Sequence, residues 1–488
     1  MGVIIAVLDK EGENATEKAV MMLRMFSSEK AEAFGLASSS TSEMRQTVDA
    51  LQNVNMDSHI VIGQVFSKIL CSDKPQAARL ENSTTFWDGR IYSPDGKTFD
   101  VEAFTRKSRQ KCEEIAQHFI KKIEGDFAFV IAEDERLIAG RDIIGCRPLC
   151  YGENKKLAAI ASERKALWRI GIEKIESFPP GHIAVVDKDG FRFKPAKTLV
   201  YSAPKQITMQ VAAENLQKLL QKSTLKRTLG MKEVAVAFSG GLDSSIVAVL
   251  AENAGVNVTL IHASLANQLE TQHAKQTAEK LKLPIQVYQY SENDVENALQ
   301  NVLWLIEEPN VVKTSIGIPF YWIAEKAAEK GFNVMLAGQG ADELFGGYKR
   351  YVDSYVQRGI EKTRREIFND VAKLYETNLE RDFKICNYHG VELRLPFATP
   401  EIAEFAIALP LKLKLEPMPT TLRKLVLRRV AENLGLPNFV VNKPKKAIQY
   451  ATGVSNIIKK IAKRNRSAVK KYLQNLFQST YKKMVLHE

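Results

Sequence analysis

The chain has 488 residues, a formal charge of +12, 45% hydrophobic and 26% charged residues. That length is enough for roughly two to four domains with their own cores, and the composition is that of an ordinary globular protein rather than a disordered or fibrous one. No apolar run approaches the roughly 18–20 residues a membrane helix needs, and the start carries no basic segment ahead of its short apolar stretch, so neither a span nor a signal peptide is expected. Five cysteines (Cys71, Cys112, Cys146, Cys150, Cys386) include no CxxC pair, which excludes a zinc ribbon and predicts reduced thiols in a cytoplasmic setting.

Taken in chain order, short β-like runs come first, at residues 3–8, 59–66, 126–133, 137–142, 157–163 and 182–191. Turn signals such as Asp95-Gly96 and Pro179-Pro180-Gly181 separate them, and helical patterns at 15–26 and 101–123 interrupt them. This predicts an α+β layered domain. Ser202-Ala203-Pro204-Lys205 reads as a linker. Beyond it the pattern alternates: strand 234–239, helix 243–254, strand 257–263, helix 270–281, strand 285–289, helices near 294–307 and 318–330, strand 334–338. Such alternation predicts a parallel sheet covered by helices. Past Tyr351 strand signals fade and helical patterns run to the end. Residues 455–488 hold nine basic residues against Glu488, a charge of +8 that leaves +4 for the rest. Apolar residues recur there at helical spacing, so the tail reads as a docked amphipathic helix with a solvated basic face, or as a contact for a polyanion.

Two strings carry chemistry. Ser239-Gly240-Gly241-Leu242-Asp243-Ser244-Ser245 follows a buried strand and opens a helix. Small residues there let backbone N–H groups and a helix N-terminus face an anion, and Asp243 can hold a magnesium ion bridging phosphates. No Lys-Ser/Thr pair follows the glycines, so this is not the Walker sequence. The second string, from Leu336 through Gly338-Gln339-Gly340-Ala341-Asp342-Glu343 to Gly346-Gly347-Tyr348, leaves the last clear strand. Its place at a strand's carboxyl end is where open parallel sheets bind ligands, and Asp342 and Glu343 are oxygen donors suited to a hard cation.

The first string resembles the pyrophosphate loop of the N-type ATP pyrophosphatases. With the second, it resembles the synthetase domain of the asparagine synthetases, whose usual form is SGEGADELFGGY. Glu307-Glu308-Pro309, Arg381-Asp382, Glu392-Leu393-Arg394-Leu395-Pro396-Phe397 and Lys443-Pro444-Lys445-Lys446 are similar to further family segments. In the first domain Gly125-Asp126-Phe127-Ala128-Phe129, the RDxxGxRPL-like stretch from Arg141 to Leu149 and Ala161-Ser162-Glu163 resemble the class II glutamine amidotransferase half. The resemblance covers about residues 1–455. It implies an Ntn-hydrolase-like layered α+β domain at 1–204, then an α/β parallel-sheet (HUP-type) ATP pyrophosphatase domain at 205–488 with a helical C-terminal extension.

The resemblance further implies ATP and Mg²⁺ as cofactors, with Asp243 and Asp342 on the metal. Ser239, Gly240, Gly241, Leu242, Ser244, Ser245, Gly338, Gly340, Glu343 and Lys446 would surround the nucleotide. Asp243, Asp342, Gln339, Arg381 and Lys445 would carry the reaction, in which aspartate becomes an acyl-adenylate that ammonia attacks. A lysine point charge suits that setting, and spacing favours Lys445 with Lys446 next.

Departures from the family are equally specific. Gln339 stands where the family carries glutamate, so an amide replaces a group able to take a proton. The family's nucleophilic cysteine has no counterpart in Met1-Gly2-Val3, its oxyanion Asn-Gly reads Asp88-Gly89, and its glutamine-gripping arginine is missing from Ile62-Gly63-Gln64-Val65-Phe66. A carboxylate at 88 would repel an oxyanion. The first domain is therefore expected not to hydrolyse glutamine. Alternatives are a β-lactam-synthetase-like ligase acting on another carboxylate, although the tyrosine of that family's acid–base element is absent at 339, and an ATP-binding regulator or scaffold without catalysis. Expected partners are small molecules and a second copy of the chain, with no membrane and no nucleic acid.

Overall fold

The computed structural model describes residues 2–26, 30–75, 77–80, 82–92, 111–417, 422–444 and 448–486. The chain divides into two units, Met1–Thr198 with Tyr481–Glu488, and Leu199–Thr480.

The first unit is built on two antiparallel sheets. One has seven strands in the order Ile175–Ser177, Cys150–Glu153, Leu157–Ala161, Gly2–Asp9, Ile60–Phe66, Ala33–Ala37 and Ser42–Arg45. The other has six: Gly190–Pro195, His182–Asp187, Leu137–Arg141, Gly125–Ala132, Ser83–Ile91 and Ala77–Leu80. Gly2–Asp9 shows why its sequence is an unbroken apolar run rather than an alternating one. Ile4, Ala6 and Leu8 point into a core shared with Val130, Ala139 and Val186 of the six-stranded sheet. Ile5 and Val7 point the other way, into a core closed by Ala19 and Leu23 of the helix Thr16–Arg24 and Leu167 of the helix Arg164–Arg169. A strand buried on both faces has no polar side to show. The helix Cys112–Lys122 covers the outer face of the second sheet, where Phe119 meets Trp87 at 5.2 Å and Phe129 at 5.5 Å between ring centroids. The layers run helix, sheet, sheet, helix. The helical pattern expected at 101–123 is present from Cys112; residues 101–110 lie outside the described residues.

In the second unit, five parallel strands stand in the order Ile285–Tyr290, Asn257–Leu265, Glu233–Ala237, Val334–Leu336 and Glu392–Arg394. Four follow the sequence pattern. The fifth lies where strand signals had faded: three residues of ladder leave too short a pattern to read, and Glu392 and Arg394 are polar yet 1–2% exposed because they pair with each other at 2.6 Å. The helix expected near 318 in fact begins at Val311, where the Asn310 side chain accepts from the N–H of Val312 and Lys313. Pro319 sits inside this helix, not at its start. The chain leaves Glu233–Ala237 toward one edge of the sheet through two more strands, then returns to Val334–Leu336 on the other side. The switch point of the topology thus lies between those two central strands. Their carboxyl ends open a crevice, the place where open α/β sheets take ligands.

Candidate active site

Both strings singled out in the sequence emerge at that crevice, a cleft of about 670 Å³ wholly within the second unit. The first is a tight turn ahead of the helix Leu242–Asn253. Gly241 N–H donates to Ser239 Oγ at 3.2 Å, Ser239 Oγ lies 3.2 Å from Ser244 Oγ, and Ser244 Oγ donates to the Gly241 carbonyl. Gly240 has φ +70, and a Cβ there would stand 2.7 Å from Ala274 Cα, so only glycine fits. Hydroxyls and a helix N-terminus therefore face the cleft together, an anion-binding arrangement. Ser239, Gly241, Leu242, Asp243 and Ser244 line the cleft, whereas Ser245 is fully buried beneath it.

The second string forms the short helix Ala341–Phe345. It brings Asp342 toward Asp243, and the link between them is a residue the sequence reading missed. Lys424 Nζ lies 2.5 Å from Asp243 Oδ2 and 2.7 Å from Asp342 Oδ1. Its side chain is 3% exposed, against 23% and 22% for the two carboxylates, so the cation is sealed in while the acids still reach the cleft. Burial alone would lower the lysine pKa, but the two carboxylates outweigh it and raise it, so Lys424 stays charged. Gly347 makes room for this contact: a Cβ there would lie 1.9 Å from Asp342 Oδ1 and 2.5 Å from Lys424 Cε.

Asp342 and Glu343 part company. Glu343 is 3% exposed, and its Oε1 accepts from the Tyr348 hydroxyl and, at 2.7 Å, from Asn378 Nδ2. Burial and then the Glu343 charge push the Tyr348 phenol far up, keeping it neutral. Arg350 lies 4.6 Å over the Tyr348 ring and pairs with Asp370 at 2.7 Å.

Gln339 lines the cleft and donates from Nε2 to Asp382 Oδ2 at 3.0 Å. Arg381 grips the same carboxylate side-on, Nε to Oδ1 at 2.7 Å and Nη2 to Oδ2 at 2.9 Å. Asp382 is 0% exposed and does not border the cleft; Gln339 and Arg381 do. An ionised carboxylate only accepts hydrogen bonds, so it fixes the amide with nitrogen down, leaving Oε1 as the atom not engaged there.

Gly338 and Gly340 both border the cleft. Lys443 does too, paired with Glu270. Lys445 and Lys446 lie outside the described residues. Glu392 and Arg394 are not brought to the cleft: Arg394 donates to the Arg227 carbonyl at 2.5 Å, away from the loops.

Two acids, a buried cation and a hydroxyl-rich helix N-terminus thus share one crevice, and sequence comparison shows the class of protein to which they belong. A family model described as asparagine synthase matches residues 215–363 and 353–487, and a glutamine amidotransferase domain model matches 91–169. The first match runs past residue 455, so the basic tail lies inside the family's domain rather than beyond it. A protein of Methanocaldococcus jannaschii carried under the provisional name asparagine synthetase [glutamine-hydrolyzing] 1 is 33% identical over 416 residues, 76% of this chain and 76% of its own length. The asparagine synthetase [glutamine-hydrolyzing] of Asparagus officinalis is 27% identical over 75% of this chain, and one from Arabidopsis thaliana 28%; the chain spans 65% and 66% of those two proteins. The chain belongs to the asparagine synthetase family of ATP-dependent carbon–nitrogen ligases.

Proposed function

We propose that the second unit activates a carboxylate, most simply the side chain of aspartate, as an acyl-adenylate, and that ammonia then attacks it to give the amide. In the first step a carboxylate oxygen attacks the α-phosphorus of ATP and the bond to pyrophosphate breaks. In the second the amine nitrogen attacks the acyl carbon, AMP leaves with the bonding electrons, and the nitrogen sheds a proton. The observation that carries this reading is the convergence of Asp243, Asp342 and the anion-binding turn at the topological switch point.

Asp243 and Asp342 suit Mg²⁺: two carboxylates already converge on one cation, and Mg²⁺ is commonly held by one or two carboxylates with phosphate oxygens completing its shell. When bound there, it would neutralise charge on the triphosphate. The turn at 239–244 holds phosphate oxygens, and Lys424 keeps the two acids in place and adds a fixed positive charge. Gln339 Oε1 orients the amine through a hydrogen bond without removing its proton. This favours a nucleophile that arrives as free, neutral ammonia.

The first unit is read as an Ntn-hydrolase-like glutaminase half that has lost its chemistry. Gln64, within the stretch 62–66 that lacks the glutamine-gripping arginine, is buried and donates to the Trp87 carbonyl at 2.5 Å. Asp88, at the place of the oxyanion asparagine, accepts from Gly2 N–H at 2.9 Å. Incubation with labelled glutamine is expected to release no glutamate above a boiled control; release above it rejects this part of the reading. For the synthetase half, ATP, aspartate and ammonium should yield asparagine and AMP in equal amounts. AMP formation without amide would leave the adenylation intact but refute the assignment of the amine.

A further inference from the structure

The described unit that holds the cleft also carries the chain's charge imbalance. Residues 433–487 contain twelve Lys and Arg and no Asp or Glu, so the whole net charge of +12 resides there and the rest of the chain sums to zero. Part of this stretch forms the helices Val454–Arg464 and Val469–Tyr481.

In the first of these helices, Val454, Ile458, Ile461 and Ala462 are buried, and Lys459, Lys460, Lys463 and Arg464 are exposed on the opposite side. Spacings of three and four residues make those four cations neighbours on one stripe, where like charges destabilise a helix unless something offsets them. Glu292 pairs with Lys460 and Glu296 with Arg464, which relieves one edge. Lys459, Lys463, Arg466, Lys470 and Lys471 are exposed and have no carboxylate partner among the described residues. Arg466, one residue past the C-cap Asn465, has φ 50, a left-handed conformation unusual for a non-glycine residue.

We infer that this basic track is a binding surface for the sugar-phosphate backbone of a nucleic acid, used without base recognition. The choice of partner follows from what the track lacks. A membrane-surface helix needs a free apolar face, and here that face is buried in the protein. A stable protein partner needs an apolar centre, and among the described residues none of the exposed large apolar side chains falls between Gly453 and Tyr481. A phosphate polymer needs neither, because its affinity comes from counterion release by spaced cations.

The full-length protein would be titrated against a labelled mixed-sequence RNA, a duplex DNA and phosphatidylserine vesicles, with and without Lys459→Gln, Lys463→Gln, Lys470→Gln and Lys471→Gln combined. The unaltered protein is expected to bind one or both nucleic acids, and affinity should fall by about 10²-fold for single strands and about 500-fold for the duplex between roughly 50 and 200 mM salt for five phosphate contacts. The variant should lose at least about tenfold at low salt and show a shallower salt slope, with unchanged ATP–pyrophosphate exchange. Equal binding by both proteins, binding to vesicles alone, or no binding at low salt would overturn the inference.

Discussion

Lys424 is the residue on which the cleft's electrostatics turn, because its ammonium touches both acids proposed to hold the metal. Removing it leaves two carboxylates facing each other and takes a preorganised positive charge from the phosphate side. Lys424→Ala is therefore expected to slow adenylation by about 10²–10³-fold, read as pyrophosphate exchange. Loss of less than a few-fold would mean that the lysine is only a fold contact. Gln339 and Asp382 make a second prediction. Asp382→Asn frees the amide to flip, since Asn can donate as well as accept, so amide formation should fall about tenfold while pyrophosphate exchange stays within about threefold. Equal losses in both would point to collapse of the Arg381 contact instead. Asp243, Asp342 and Gln339 were legible in the sequence because they sit inside strings whose composition already demands close backbone approach. Lys424 was not. It stands far down the chain in a turn before the helix Leu425–Asn433, and nothing in its local sequence says that its Nζ returns to Asp243.

At the scale of elements, chemistry at the ends mattered more than periodicity within. The helix Glu292–Ile306 starts with a full capping box: Ser291 Oγ accepts from the Asp294 N–H while Asp294 Oδ2 accepts from the Ser291 N–H at 2.7 Å. Ser291→Ala should cost about 1 kcal/mol of stability in the second unit, measured by denaturant unfolding, with no change in exchange rate. A cost near zero would mean that packing of Val295, Leu299 and Val302 alone defines this end. The alternating strands and helices of the second unit were readable because each parallel strand is an apolar run bounded by turns. Edge and hairpin strands of the first unit were harder. Ser42–Arg45 is half exposed, and Ser83–Ile91 begins Ser-Thr-Thr yet is buried over most of its length. Composition there reports neighbours across the sheet, which one strand's sequence does not contain.

At the scale of the whole molecule, the cysteine count and the charge changed meaning once they had positions. Three of the five cysteines, Cys146, Cys150 and Cys386, are simply core residues. The net charge gathers in residues 433–487, a stretch that includes Lys443 at the cleft as well as the two tail helices. What joins sequence to function is topology: two strings distant in the chain meet because the order of strand addition reverses between their parallel strands. This meeting point is where the proposed acyl-adenylate would form. ATP–pyrophosphate exchange with labelled pyrophosphate and Mg²⁺, screened across the amino acids with ammonium left out, isolates that step. Exchange dependent on aspartate, and abolished by Asp342→Asn, is the predicted result. No exchange with any amino acid, from protein that still binds ATP, would contradict it.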